Sequence, residues 1–180
     1  MDTAHKADAS TLMIRSAEPQ DAAAISALLG TPGSFEGTLQ LPDVPVASRI
    51  EMLQKVDPQG CRLVALDGAE VIAHAGLHLS HPGLRRSHVR VLGIVIAPAW
   101  QGRGIGRELI NRLLHWSDNW AGVLRVELAV HADNERAIAL YLSLGFVEEG
   151  RHLAYALKDG RYVDSFSMAR LHPSPPQLAG

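Results

Sequence analysis

The sequence has one cysteine, Cys61, so no disulfide can form within the chain. Its place in the apolar run CRLVALD marks it as a small hydrophobe of a strand rather than a reactive thiol. Charge of one sign is not in excess: 17 Lys+Arg stand against 19 Asp+Glu, a formal net charge of −2. That balance argues against a sequence-wide attraction to nucleic acid or to an acidic membrane. No apolar stretch reaches the length of about 18 residues that a membrane helix needs. The opening MDTAHKADAS carries no apolar core of a signal peptide. A cytoplasmic location is therefore expected, which the single cysteine fits. No Cys/His cluster and no H-E-x-x-H spacing is present, so no metal is expected.

What is present is an ordinary globular composition, 47% hydrophobic and 20% charged over 180 residues. That length suits one domain, on a norm of about 100–200 residues each. Residues 12–171 carry the regular patterns, with loose tails expected at 1–10 and in the Pro-rich 172–180. TLMIRSA reads as a strand, and Pro19 before DAAAISALLG starts a helix that Gly30 ends. Residues 31–45 are rich in turn formers. Val46, Ile50, Leu53 and Val56 recur at helical spacing, and PQG at 58–60 ends that helix. CRLVALD and VIAHAGLHLS flank an Asp-Gly turn, and HVRVLGIVIA follows as a third strand. A third helix has Leu109, Ile110, Leu113 and Leu114 on one side. LRVELAVHA is a strand, DNERAIALYLSLG a helix with Asp133 as N-cap and Gly145 as stop, and a last hairpin turns at Asp159-Gly160. The order β-α-α-β-β-β-α-β-α-β-β predicts an α+β fold. Its one parallel strand pair lies across the crossover between 88 and 131.

The densest chemistry is QGRGIGRELI at 101–110, a glycine loop that opens a helix right after a strand. Glycines permit positive φ and close approach of a ligand to the chain. A helix start presents unpaired N–H groups and the positive end of the dipole, the combination that binds phosphate. Arg103 and Arg107 add charge. The loop lacks the Lys-Ser/Thr of a P-loop and departs from the G-x-G-x-x-G dinucleotide pattern, which leaves a dinucleotide-dependent oxidoreductase a distant alternative.

Together with VELAVHADNERAIALYLSLGF, this stretch resembles the GNAT superfamily of acetyl-CoA-dependent N-acetyltransferases. Gln101, Gly104 and Gly106 match its first motif, and Asn134, Ala137, Tyr141, Gly145 and Phe146 its second. GTLQLP, RRSHV, DNW and YALKDGRYVDSFSMAR further resemble the bacterial L-amino-acid N-acetyltransferases, with phosphinothricin-type enzymes nearby. The resemblance implies a GNAT fold: a mixed, mostly antiparallel sheet of about six to seven strands with about four helices, in three α/β/α layers. It implies direct acetyl transfer from acetyl-CoA to the primary amine of a small substrate in a ternary complex, and homodimers are common among such proteins. The pyrophosphate would lie on Gly102, Arg103, Gly104, Ile105, Gly106 and Arg107. Pantetheine would pair along Ile94, Val95 and Ile96 as an added strand, near Gln101, Asn134 and Ala137. Tyr141 would protonate the departing thiolate, since a phenol with pKa about 10 stays protonated at neutral pH.

The base that frees the amine is the open position. Some relatives carry a glutamate where Ala129 stands here. Glu127 and His131 share the strand face of Ala129, and Glu127 is the first choice. His88, His78 and a water chain are alternatives. Glu36, Thr38 and Gln40 in the 31–45 loop and Asp164 on the last hairpin are candidate substrate contacts, with Tyr155 as a possible closure. Arg85 and Arg86 are candidates for a carboxylate or for the 3′-phosphate of CoA. Competing functions are acetylation of a protein N-terminus or a polyamine, and a non-catalytic acyl-CoA sensor.

Overall fold

The computed structural model describes residues 12–177 apart from 42, 56, 58 and 59. The expected tail at 1–10, the last residues 178–180, Pro42, Val56 and the PQ of the expected helix stop lie outside the described residues. Strands and helices follow the expected order: β1 (Leu12–Ser16), α1 (Ala22–Gly30), α2 (Val46–Gln54), β2 (Cys61–Asp67), β3 (Glu70–Leu79), β4 (Val89–Ile96), α3 (Ile105–Asn119), β5 (Arg125–His131), α4 (Glu135–Ser143), β6 (Val147–Lys158) and β7 (Arg161–Leu171). The strands form one seven-stranded sheet in the order β1-β2-β3-β4-β5-β7-β6. The β4–β5 pair is parallel and every other pair antiparallel, as the crossover through α3 requires.

The sheet is covered on both faces, which gives the three expected layers. On one face Leu109, Ile110 and Leu113 of α3 are fully buried, together with Leu77, Val126, Leu128 and Met168 of the sheet and Tyr141 of α4. Each such side chain contributes roughly 1.5–3 kcal/mol on leaving water. On the other face Ile25, Leu28 and Leu29 of α1, with Leu53 of α2, meet Val64, Leu66 and Val95. Alternation along the strands sorts the rest. With Val126, Leu128 and Val130 under α3, the side chains of Glu127, Ala129 and His131 point to the α1 face.

Turn chemistry follows the sequence. Asp159 and Gly160 both take positive φ, 47° and 74°, as a two-residue hairpin turn requires. Gly145, at φ 85°, stops α4. Two expectations are corrected. The N-cap of α4 is Asn134, whose Oδ1 accepts from the Ala137 amide at 3.1 Å. Asp133 instead meets Lys158 Nζ at 3.0 Å. The helix starts one residue later than the pattern suggested, because Asn134 is the residue placed to reach the third helical amide. His172, assigned to a loose tail, is held: its amide donates to Leu124 O at 2.9 Å, and its ring lies 2.9 Å from Asp118 O. Asp118 also takes both Arg170 nitrogens, at 3.0 and 2.8 Å, and so ties the end of α3 to β7.

Candidate active site

β4 and β5 pair over Val89–Val91 and Arg125–Glu127 and then part. Beyond the fork β4 stays on β3 as far as Ile96, and β5 stays on β7 as far as His131. Ile94, Val95 and Ile96 thus keep an edge that no strand of the sheet covers on the β5 side. An extended ligand can take its hydrogen bonds from such an edge.

The glycine loop lies at the open end of β4. Gly102 and Gly104 take φ of 77° and 85°, conformations that side chains disfavour. Gly106 differs from them. It is the second residue of α3, and a Cβ there would lie 3.2 Å from Ile96 Cδ1 and 3.3 Å from Leu140 Cδ2. Its bareness lets α3 press against β4 and α4. Among the described residues the backbone amides of 102–107 donate to no protein acceptor; the ladder of α3 begins with Glu108 N to Gly104 O at 3.1 Å. Six free amides at the start of a fifteen-residue helix form a cradle that a diphosphate fits.

Cations surround that cradle. Arg103 stacks over the Trp100 ring at 4.7 Å, and Arg107 donates to Ser143 Oγ at 2.8 Å. Arg136, which the sequence reading missed, binds Gln101 Oε1 and stands beside Gly102. Its position one helical turn before Leu140 was the available signal. Gln101 serves as a latch: its Nε2 donates to Ile96 O at 3.0 Å and more weakly to Gly33 O at 3.4 Å. It thereby fixes the loop to the end of β4.

Tyr141 reaches the core under the sheet from α4, 7% exposed, with its ring 5.8 Å from that of Phe146. Burial pushes its phenol up to about 12, which keeps it protonated and a donor at neutral pH. No described residue hydrogen-bonds its hydroxyl. Asn134 and Ala137 are joined to each other by the α4 cap through Asn134 Oδ1, and no described residue engages the side-chain Nδ2 of Asn134.

The remaining candidates are already engaged. Glu127 accepts from Arg125 Nε at 2.7 Å and from Arg86 at 3.0 Å. Burial alone would raise its carboxyl, but the two guanidinium hydrogen bonds outweigh burial and hold it below the usual range. An ionised, doubly clamped carboxylate is a poor proton acceptor, so the structure argues against Glu127 as the base. Arg86, a candidate for a substrate carboxylate, spends its charge on Glu127 and Ser80. Asp164, a candidate substrate contact, accepts instead from the Ala154 amide at 2.9 Å and from Arg151 at 2.8 Å. Those bonds lower its pKa, the Ala154 amide first, and hold a bulge in β6 where Ala154 takes φ 49°. Glu36 closes its own turn by accepting from Gly33 N at 2.6 Å. Thr38 does the same through Phe35 O at 2.8 Å and through Gln40 N at 3.0 Å. The 31–45 loop is therefore shaped by the residues assigned to substrate.

A cavity of about 380 Å³ lies elsewhere, between β1, α1 and the end of α2, lined by Ser16, Leu53, Cys61, Arg62 and Trp116 among others. It contains none of the candidate site residues. Cys61 borders it as a thiol, since burial pushes its pKa up.

Residues 33–146 match the model of the Acetyltransferase (GNAT) family. The L-amino acid N-acetyltransferase AaaT of Escherichia coli (strain K12) is 37% identical over 163 residues, 90% of this chain and 99% of that protein. The spermidine N-acetyltransferase of Vibrio cholerae, solved in complex with CoA and spermine, superposes with a TM-score of 0.78 at 29% identity over 91% of this chain and 96% of that one. A phosphinothricin acetyltransferase of Sinorhizobium meliloti, solved in complex with AcCoA, has the same fold, with a TM-score of 0.81 at 22% identity over 93% and 94% of the two chains.

Proposed function

The chain belongs to the GNAT acetyltransferase family and is an acetyl-CoA-dependent N-acetyltransferase, and from that premise we propose that it acetylates the primary amine of a small amino acid or close analogue. The observation that carries this is the similarity to an L-amino acid N-acetyltransferase, which runs over nearly the whole length of both proteins. Local chemistry supports it. The α1 face of the fork, where the amine would enter, holds Glu127 with its charge already matched by Arg86 and Arg125. A polycation finds little net attraction there, whereas a compact substrate with one amine needs none.

In this reading the chain performs four tasks. The free amides of 102–107 and the helix end of α3 hold the diphosphate of acetyl-CoA. The bare edge at Ile94, Val95 and Ile96 aligns its arm in the fork. An amide of that edge polarises the thioester carbonyl as the tetrahedral intermediate forms. The substrate nitrogen attacks the carbonyl carbon directly, the carbon–sulfur bond breaks, and Tyr141 gives its phenolic proton to the sulfur.

Release of free CoA from acetyl-CoA, followed across a panel of L-amino acids, amino-acid analogues, polyamines and short peptides, tests the acceptor. Turnover with one class of amino acid is expected. Turnover confined to spermidine or to peptides would overturn the amino-acid reading while leaving the transferase chemistry in place.

A further inference from the structure

An amine must shed a proton before it attacks, and the clamped Glu127 does not offer to take it. The amine face of the fork carries three histidines, His74 and His78 from β3 and His131 from β5. Their positions set them apart. His131 is buried at the far end of β5, 6% exposed. His74 lies beneath α1 and opposite Val95; burial above all lowers its pKa to about 4. His78 pairs with Val91, the last β4 residue that still touches β5.

The His78 ring leans along the fork rather than away from it. A Cβ on Gly76 would lie 3.0 Å from Nε2, and one on Gly93 would lie 3.9 Å from it. Gly76 and Gly93 face each other across β3 and β4, so the imidazole rests on a floor without side chains. Gly93 is the first residue past the fork on this face, and it is exposed, as is Ala129 across the opening on β5. Two missing side chains and one short one leave an open basin with Nε2 at its edge. No described residue hydrogen-bonds the ring.

We propose that His78 is the proton acceptor of the reaction, taking a proton from the substrate ammonium directly or through one water. The nitrogen that results attacks the thioester carbon, sulfur leaves and takes the Tyr141 proton, and the surplus proton on the new amide nitrogen returns to the phenol through solvent. The proton held by His78 is the one released per turnover. This rests on the reading of the fork as an acetyl-transfer site. The surroundings keep the imidazole neutral and able to accept: burial first and then the charge of Arg62 on β2 lower its pKa, with Asp57 opposing them. His74, on the same strand, is the other titratable neighbour and stays neutral.

The test is the pH profile of kcat/KM for wild type, His78→Gln, His78→Ala and Glu127→Gln, with the acceptor that wild type turns over. Wild type should show an acid limb below the ordinary histidine range, and Glu127→Gln should keep it. His78→Gln should lose that limb and fall roughly 10²-fold at neutral pH, with the deficit closing as the amine deprotonates by itself at higher pH. Acetyl-CoA affinity should stay unchanged, and added imidazole should restore rate to His78→Ala. A His78→Gln profile within about twofold of wild type at every pH would overturn the assignment and leave the transferase reading standing. So would loss of the limb in Glu127→Gln instead. A wild type that acetylates no amine at all would overturn both.

Discussion

In the proposed mechanism Tyr141 is the residue on which the chemistry turns. Its phenol is buried, pushed up to about 12, and without a described hydrogen-bond partner. Such a group stays protonated at neutral pH and can donate to a charge that develops nearby, the role proposed for it. Tyr141→Phe keeps the ring against Phe146 and removes the donor. The expected result is a fall in kcat of roughly 10²–10⁴-fold with a much smaller change in the KM for acetyl-CoA, read from initial rates. A kcat equal to wild type would remove Tyr141 from the mechanism. Residue type and motif were legible in the sequence for Tyr141, Asn134 and the loop glycines. Partners were not. Glu127 reads as a free carboxylate on the correct face, but Arg86, 41 residues away, meets it only once β3, β4 and β5 are assembled. Asp164 reads as a pocket residue, but the register of β6 against β7 places the Ala154 bulge beneath its carboxylate.

Among the elements, α3 and the loop before it do two jobs with three glycines. Gly102 and Gly104 supply positive φ for the cradle, while Gly106 supplies close packing against Ile96 and Leu140. Gly104→Asp places a side chain at φ 85° and a negative charge beside the free amides. Acetyl-CoA binding measured by calorimetry should weaken by tenfold or more, about 1.4 kcal/mol or beyond. Unaltered affinity would detach the loop from the phosphate. Periodicity made these elements readable: the apolar stripe of α3, the alternation of β5 and the turn residues of both hairpins all lead to the observed strand and helix types. The start of α4 was misplaced by one residue because Asp133 and Asn134 are both good caps, and the choice depends on which one Lys158 draws away.

At the scale of the whole molecule, the fold exists to hold two strands apart. Four strands on one side and three on the other form antiparallel runs, and the one parallel junction between them opens after three residue pairs. Cores on both faces keep it open, with α3 and α4 beneath and α1 above. The sequence foretold a parallel pair but not its length, since the fork is set by packing of both halves of the sheet. Amide hydrogen exchange with and without acetyl-CoA tests this account most directly. Protection is predicted at two separated segments at once, 94–96 on the bare edge of β4 and 102–107 in the cradle, with the cavity beside Cys61 and Arg62 unaffected. Protection around that cavity, with both segments of the fork exchanging as before, would contradict it.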